Sequence, residues 1–279
     1  MNLVNGLATK VFDFIMWPLE LLGLEVAFVI ISGVFGVLAL VAFKYMSSQK
    51  GIAAAKDKIK GHMIEIRIYQ DDLPVVGKAV GKILMRNFQY MGLNFLPFIP
   101  LSVPFVILIS QLAVRYGFEP LPANEPFTMK VALAEGNAGQ VRELEVITPD
   151  WVDESELVVV RGSDGNAYVS VRDAQPGQWD FEFRLGSGEV VTKQVVVGSR
   201  EDAPKTMQPD RVGDFWESWL WPAEKTLTST GFAKISIVGG YPEREYWWMP
   251  AGPGGILIGV ILYSLVIGAA AMKPLGVTI

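Results

Sequence analysis

Three stretches of the chain abandon any alternation of polar and apolar positions. Residues 26–43 and 255–272 run 18 residues each without a charge, and residues 93–114 run 22. About 20 apolar residues in a helix match the ~30 Å hydrocarbon layer of a bilayer, so the pattern predicts membrane-spanning helices over 21–43, 93–115 and 253–273. Ahead of the first, Val11, Phe12, Phe14, Ile15, Met16, Trp17 and Leu19 are interrupted by Lys10, Asp13 and Glu20. This mixture predicts an interfacial segment over 1–20, set apart from the span by Pro18.

Between the first two spans the apolar period becomes helical. Ile52, Ile59, Met63, Ile66 and Leu73 recur at helical spacings, and Val76, Val80, Ile83 and Phe88 do the same. Asp72 is a good N-cap and Pro74 is tolerated in a first turn. Residues 44–92 therefore read as two antiparallel helices, a coiled-coil hairpin.

From 127 to 197 the period falls to two. Phe127, Met129, Val131 and Leu133, then Leu144 and Val146, Leu157 and Val159, Val169 and Val171, Trp179, Phe181, Phe183 and Leu185, and Val191, Val195 and Val197 alternate with polar neighbours. Turn sequences such as Ser163-Asp164-Gly165-Asn166 and Pro176-Gly177 separate them. The spacing predicts an antiparallel β-sandwich over 116–205 with Trp179 in its core. Residues 206–252 follow as an amphipathic helix carrying Val212, Phe215, Trp216, Trp219 and Leu220, a further strand at 232–238, and Tyr246-Trp247-Trp248 before the last span. Trp17, Trp216, Trp219, Trp247 and Trp248 are the expected membrane-interface anchors.

Charge orients this plan. Residues 44–90 hold nine Lys/Arg against four acids, whereas residues 117–253 hold 12 against 22. Because cations are retained on the cytoplasmic side, the N-terminus is expected outside, the hairpin inside, the β-domain outside, and the tail 274–279 inside, in a cell (inner) membrane. Glu20 and Glu25 before the first span and Lys44 after it reverse the order of a cleaved signal peptide. The fold class is thus a membrane protein with three transmembrane α-helices, a cytoplasmic helical hairpin and an extracytoplasmic antiparallel β-sandwich. On the hairpin, Lys50, Lys56, Lys58, Lys60, Arg67, Lys78, Lys82 and Arg86 form a basic surface that suits anionic lipid or ribosomal RNA, or is a solvated face.

Catalytic chemistry finds no residues to carry it. With no Cys and His62 as the single imidazole, thiolate zinc sites, Fe–S clusters, Cys nucleophiles and HExxH sites are excluded. No D-x-D-x-D-G calcium loop occurs, and Gly252, Gly254 and Gly255 lack the Lys-Ser/Thr ending of a phosphate loop. The chain reads as a non-enzyme without metal or cofactor, and DNA is not an expected partner. What the spans do contain is Pro97, Pro100 and Pro104 among Asn94, Ser102, Ser110 and Gln111, and the small residues Gly255, Gly259, Ser264 and Gly268. Such Pro residues open a helix where protein or water covers it, and small residues admit a close neighbour.

In this order of parts the chain resembles the three-span branch of the Oxa/YidC/Alb membrane-protein insertase superfamily, which includes archaeal YidC-like proteins and subunits of endoplasmic-reticulum insertases. The resemblance covers roughly 20–116 and 250–279. It rests on an N-out span, a basic helical hairpin, the Pro-rich Asn94-Phe95-Leu96-Pro97-Phe98-Ile99-Pro100-Leu101, and a last span with Tyr263-Ser264 and Met272-Lys273-Pro274-Leu275-Gly276. Two features depart from the family plan: the first span has no Lys or Arg, and a β-domain stands between the second and third. The resemblance implies a groove that eases polar segments into the bilayer, for which Asn94, Ser102, Gln111, Ser264 and Ser32 are the candidates. Its partners would be membrane lipids, nascent or client membrane proteins, and the ribosome through the basic hairpin. The alternative is a non-catalytic structural or assembly subunit of a larger membrane complex, docking through the β-domain and the small-residue helix faces.

Overall fold

The computed structural model describes residues 2–276 except Glu154, Ser229, Thr230 and the side chain of Gln49; residues 277–279 of the expected tail lie outside the described residues. Along the chain run α1 (Asn2–Glu20), α2 (Leu24–Met46), α3 (Gln49–Ile68), α4 (Leu73–Phe95) and α5 (Phe98–Tyr116). Strands β1 (Phe127–Leu133), β2 (Glu145–Ile147), β3 (Leu157–Arg161), β4 (Asn166–Val171), β5 (Gly177–Arg184), β6 (Val190–Val197) and β7 (Asp210–Val212) follow, then α6 (Glu217–Leu220), β8 (Phe232–Ile237) and α7 (Gly252–Leu275). Three helical runs, α2, α4 through α5, and α7, are long and apolar enough to cross a membrane. The chain divides into two compact units, residues 24–105 with 260–279 and residues 1–23 with 106–259.

The first unit is helical. Ser48 Oγ accepts from Gly51 N at 3.3 Å and Asp72 Oδ1 from Val75 N at 3.3 Å, so side chains begin both α3 and α4. The two helices run antiparallel, with Ile52, Ala55 and Ala79 buried, Lys82 donating to Glu65 at 3.4 Å and Lys56 lying 5.4 Å over the Tyr90 ring. Four of the nine residues of the expected apolar stripe stay outside this seam: Met63, Leu73, Val80 and Phe88 are exposed. The helix continues past the expected start of the second span, breaks at Leu96–Pro97 and resumes as α5. Pro97 and Pro100 have no N–H to carry the ladder across that point. Helices α2 and α7 meet at Gly36, where a Cβ would lie 2.8 Å from Ser264 Cα, and at Gly33, where it would meet the Ile267 side chain.

The second unit is built on two antiparallel sheets, ordered β3-β4-β1-β8-β7 and β2-β5-β6. Met129, Val131, Val169, Val171 and Ile235 of the first share a core with Phe181, Phe183 and Val195 of the second. Phe127 meets Phe181 edge to face at 5.8 Å. The sandwich does not stop at 205, because β8 pairs with β1 and β7 completes the same sheet. The helix expected around Val212–Leu220 shrinks to α6: Val212 pairs with Lys234 in the sheet, and Asp214 Oδ1 accepts from Trp216 N and Glu217 N at 2.8 and 3.0 Å. Trp179 is half-buried rather than central, its ring tilted against that of Trp151 with centroids 5.4 Å apart and its Nε1 donating to Gln175 O. It is the third residue of β5, two positions before the first residue of that strand whose side chain is fully enclosed, Phe181.

Helix α5 ends in this unit with all four of its last carbonyls engaged. Ala113 O accepts from Gly117 N, Val114 O from Met207 N, Arg115 O from the Arg200 guanidinium and Tyr116 O from the Tyr246 hydroxyl, at 2.8, 2.8, 2.6 and 2.7 Å. Helix termini leave such groups without an internal partner, so the loops around 200–207 and 246 form the C-cap of α5. Helix α1 belongs to the same unit. Asn5 donates to Ser218 O at 3.0 Å, Gln111 to Thr9 Oγ1 at 3.1 Å and Arg115 to Asp13 Oδ1 at 2.7 Å, and the Tyr116 hydroxyl donates to Glu20. Positions 5, 9, 13 and 20 recur on one helical face together with the buried Met16.

Candidate functional site

Inside the helical unit lies a cavity of about 720 Å³. Its wall comes from the second half of α2 (Phe35, Gly36, Ala39, Leu40, Phe43), the end of α4 (Tyr90, Met91, Asn94, Phe95), the start of α5 (Phe98, Leu101, Ser102, Phe105) and α7 (Ile261, Ser264, Leu265, Gly268, Ala269, Met272). The break at Leu96–Pro97 turns Phe95 and Phe98 toward one another at 6.1 Å, and Phe35–Phe105 and Phe43–Phe98 contacts at 5.7 and 6.0 Å hold α2 against α5. The cavity sits at the end of the helices where α2 passes into α3 and α4 into α5, the end that carries the basic hairpin.

The wall holds no Asp, Glu, Lys or Arg. Ser102 and Ser264 donate to Ile99 O and Ile261 O at 2.6 and 3.0 Å, so each hydroxyl is spent on its own helix. Asn94 donates from Nδ2 to Tyr90 O at 2.7 Å, while its buried Oδ1 has no partner. The space is therefore a largely apolar chamber with one unsatisfied acceptor, suited to hydrocarbon or apolar side chains.

Of the groove candidates, the fold brings Asn94, Ser102 and Ser264 together at this wall and leaves two aside. Gln111 belongs to the other unit, bonded to Thr9 beside Arg115. Ser32 is fully buried in α2, its Oγ unpartnered. What makes the chamber is the aromatic set Phe35, Phe43, Phe95, Phe98 and Phe105, which sequence reasoning absorbed into the spans. The signal was present in the clustering of Phe on both sides of Pro97.

On the hairpin, Lys50, Lys58, Lys60, Arg67, Lys78 and Lys82 are exposed and Lys56 and Arg86 are half-buried. Glu65 gathers charge there: the hydrogen bond with His62 at 2.8 Å, then Lys82, holds its carboxyl below the usual range. Trp17, Trp216 and Trp247 are exposed, whereas Trp219 and Trp248 are half-buried.

Burial also shapes the ionisable groups of the sandwich unit. It lowers the Arg200 and Arg211 guanidinium values and pushes the Tyr246 phenol up to about 12. Lys193, 0% exposed, donates to Gln208 O at 2.9 Å and to Glu224. Each of these groups is bonded within the fold: Arg200 to Arg115 O, Arg211 to Thr192 O, and Tyr246 to Tyr116 O. Compared with protein-family models, curated proteins and solved structures, the chain matches none.

Proposed function

We propose that the protein is a membrane-protein insertase or chaperone, non-catalytic, which shelters an apolar segment of a client in the chamber between its helices. In this reading α2, α4–α5 and α7 span the membrane, the coiled-coil hairpin stands in the cytoplasm and the sandwich outside, an orientation that the Lys/Arg of the short loop favours. The observation that carries the reading is the position of the chamber. It lies among three candidate spans, at their hairpin end, where a segment arriving from the cytoplasm would enter. The lack of any charge in the wall favours apolar segments over acidic ones, which departs from the groove for polar segments that the family resemblance implies.

The test is insertion by the full chain reconstituted in proteoliposomes, scored as protease protection of a small single-span client with a short translocated tail. Ser102→Trp places an indole in the chamber and abolishes protection, while Ser102→Ala leaves it unchanged. Equal insertion by Ser102→Trp and the unaltered chain would overturn the reading.

A further inference from the structure

We propose that the outward face of α1, with the turn at 215–220, is a lipid-binding platform lying in the headgroup layer of the bilayer that the three long helices cross. This rests on the membrane reading of those helices and not on insertion. Leu3, Leu7, Phe14, Trp17 and Leu21 recur at 3-, 4- and 7-residue spacings on one side of the α1 helix and its end, and Leu3 and Phe14 are 90% and 80% exposed. The opposite side cannot turn outward to replace them, because Asn5, Thr9, Asp13 and Glu20 are bonded to Ser218, Gln111, Arg115 and Tyr116. The Asn5–Ser218 bond also brings this helix to the turn that exposes Phe215, Trp216 and Leu220, of which Trp216 is 76% exposed.

A patch of this kind on a soluble surface marks an interaction site, and two observations identify the bilayer as its occupant. Helix α1 ends three residues before α2, an apolar span, so chain continuity keeps it beside the membrane. Within the exposed stripe stands Lys10, itself exposed. A second copy or an apolar protein groove would have to bury that ammonium unpaired, whereas at a bilayer surface its stem lies along the acyl chains and its head reaches lipid phosphate.

The test uses the full chain in phosphatidylcholine–phosphatidylglycerol vesicles, with an environment-sensitive fluorophore on single Cys at Leu7→Cys, Phe14→Cys and Trp216→Cys, and on β3 at Val160→Cys as the water-exposed reference. Phospholipid bearing a nitroxide high on its acyl chain quenches the first three at least threefold more than the reference, and aqueous iodide does the reverse. Quenching by iodide at all four sites would overturn the proposal, as would shielding of the first three from both quenchers, which means a protein covers them. Failure of client insertion in the same vesicles has a separate readout and leaves this result standing.

Discussion

The Arg115 guanidinium, 2% exposed, donates to Asp13 Oδ1 at 2.7 Å and to Thr9 O at 3.0 Å, and so fastens α1 across the end of α5. Removing one partner of a buried pair leaves an uncompensated charge, at a cost of ~3–5 kcal/mol where both are enclosed. The Asp13 side chain is 40% exposed, so solvent screening brings Asp13→Leu to about 1–3 kcal/mol. The double variant Asp13→Leu with Arg115→Met is expected to recover part of that loss, because no charge is then left alone. Thermal unfolding in detergent, with proteolysis at Leu21–Gly23 as the local readout, checks it.

The sandwich unit is expected to fold from residues 117–246 and not from 117–205. Strand β8 forms the neighbour of β1 on the side away from β4, so the shorter segment uncovers Met129 and Val131, both fully buried. It also lacks Glu224, leaving the Lys193 ammonium enclosed without its carboxylate. Circular dichroism and a cooperative melt for the longer segment, with neither for the shorter, is the expected pair of results.

That example shows where the sequence speaks and where it stops. Period two marked nearly every strand, and Asp72 with Pro74 marked the start of α4, because these signals are local. Pairing is not local: nothing in the run Phe232–Ile237 says that it enters a sheet begun a hundred residues earlier. The polar residues of α1 were legible only as interruptions, since their partners Gln111, Arg115 and Tyr116 lie about a hundred positions away. In the candidate site Asn94 and Ser102 stood out as polar residues in a span, but Phe95 and Phe98 read as ordinary lipid-facing positions until the break at Pro97 set them at a shared wall.

Alkaline pH should loosen the sandwich unit through Tyr246. Burial raises its phenol from 10.0 to about 12, and its hydroxyl caps Tyr116 O. The folded state therefore keeps this proton across a range in which the unfolded chain loses it. The contribution is whole below pH 10 and fades as the pH rises through 12, about 1–2 kcal/mol after screening. Tyr241, buried with its hydroxyl accepting from Val196 N, is shifted in the same direction by burial. Tyr246→Phe is expected to flatten the fall in melting temperature over this range without abolishing it.

The α2–α7 crossing should tolerate almost no added volume at Gly36. A methyl there overlaps the Ser264 backbone, whereas at Gly268 the nearest atom, Gly36 O, is 3.5 Å away. Gly36→Ala is thus expected to destabilise the helical unit by about 1–3 kcal/mol, and Gly268→Ala by clearly less. Equal melting temperatures for the two variants in micelles would contradict this account of the crossing.

Water entering the chamber should meet the second span in a fixed order. Asn94, Phe98 and Ser102 stand at the cavity wall near the hairpin end, whereas Leu108 and Leu112 are buried further along α5, 4% and 0% exposed. At this wall the buried Asn94 Oδ1 acceptor is unpaired. In hydrocarbon such an oxygen costs several kcal/mol, so this side of the span is stable where water or a client's donor can reach it. The chain has no Cys of its own, which leaves no background for labelling. Asn94→Cys, Phe98→Cys and Ser102→Cys are expected to react with a membrane-impermeant maleimide applied from the cytoplasmic side, and Leu108→Cys and Leu112→Cys to stay unreacted. Protection at all of 94, 98 and 102 would mean that lipid or a partner subunit fills the chamber, and the assembly-subunit reading would then be the better account.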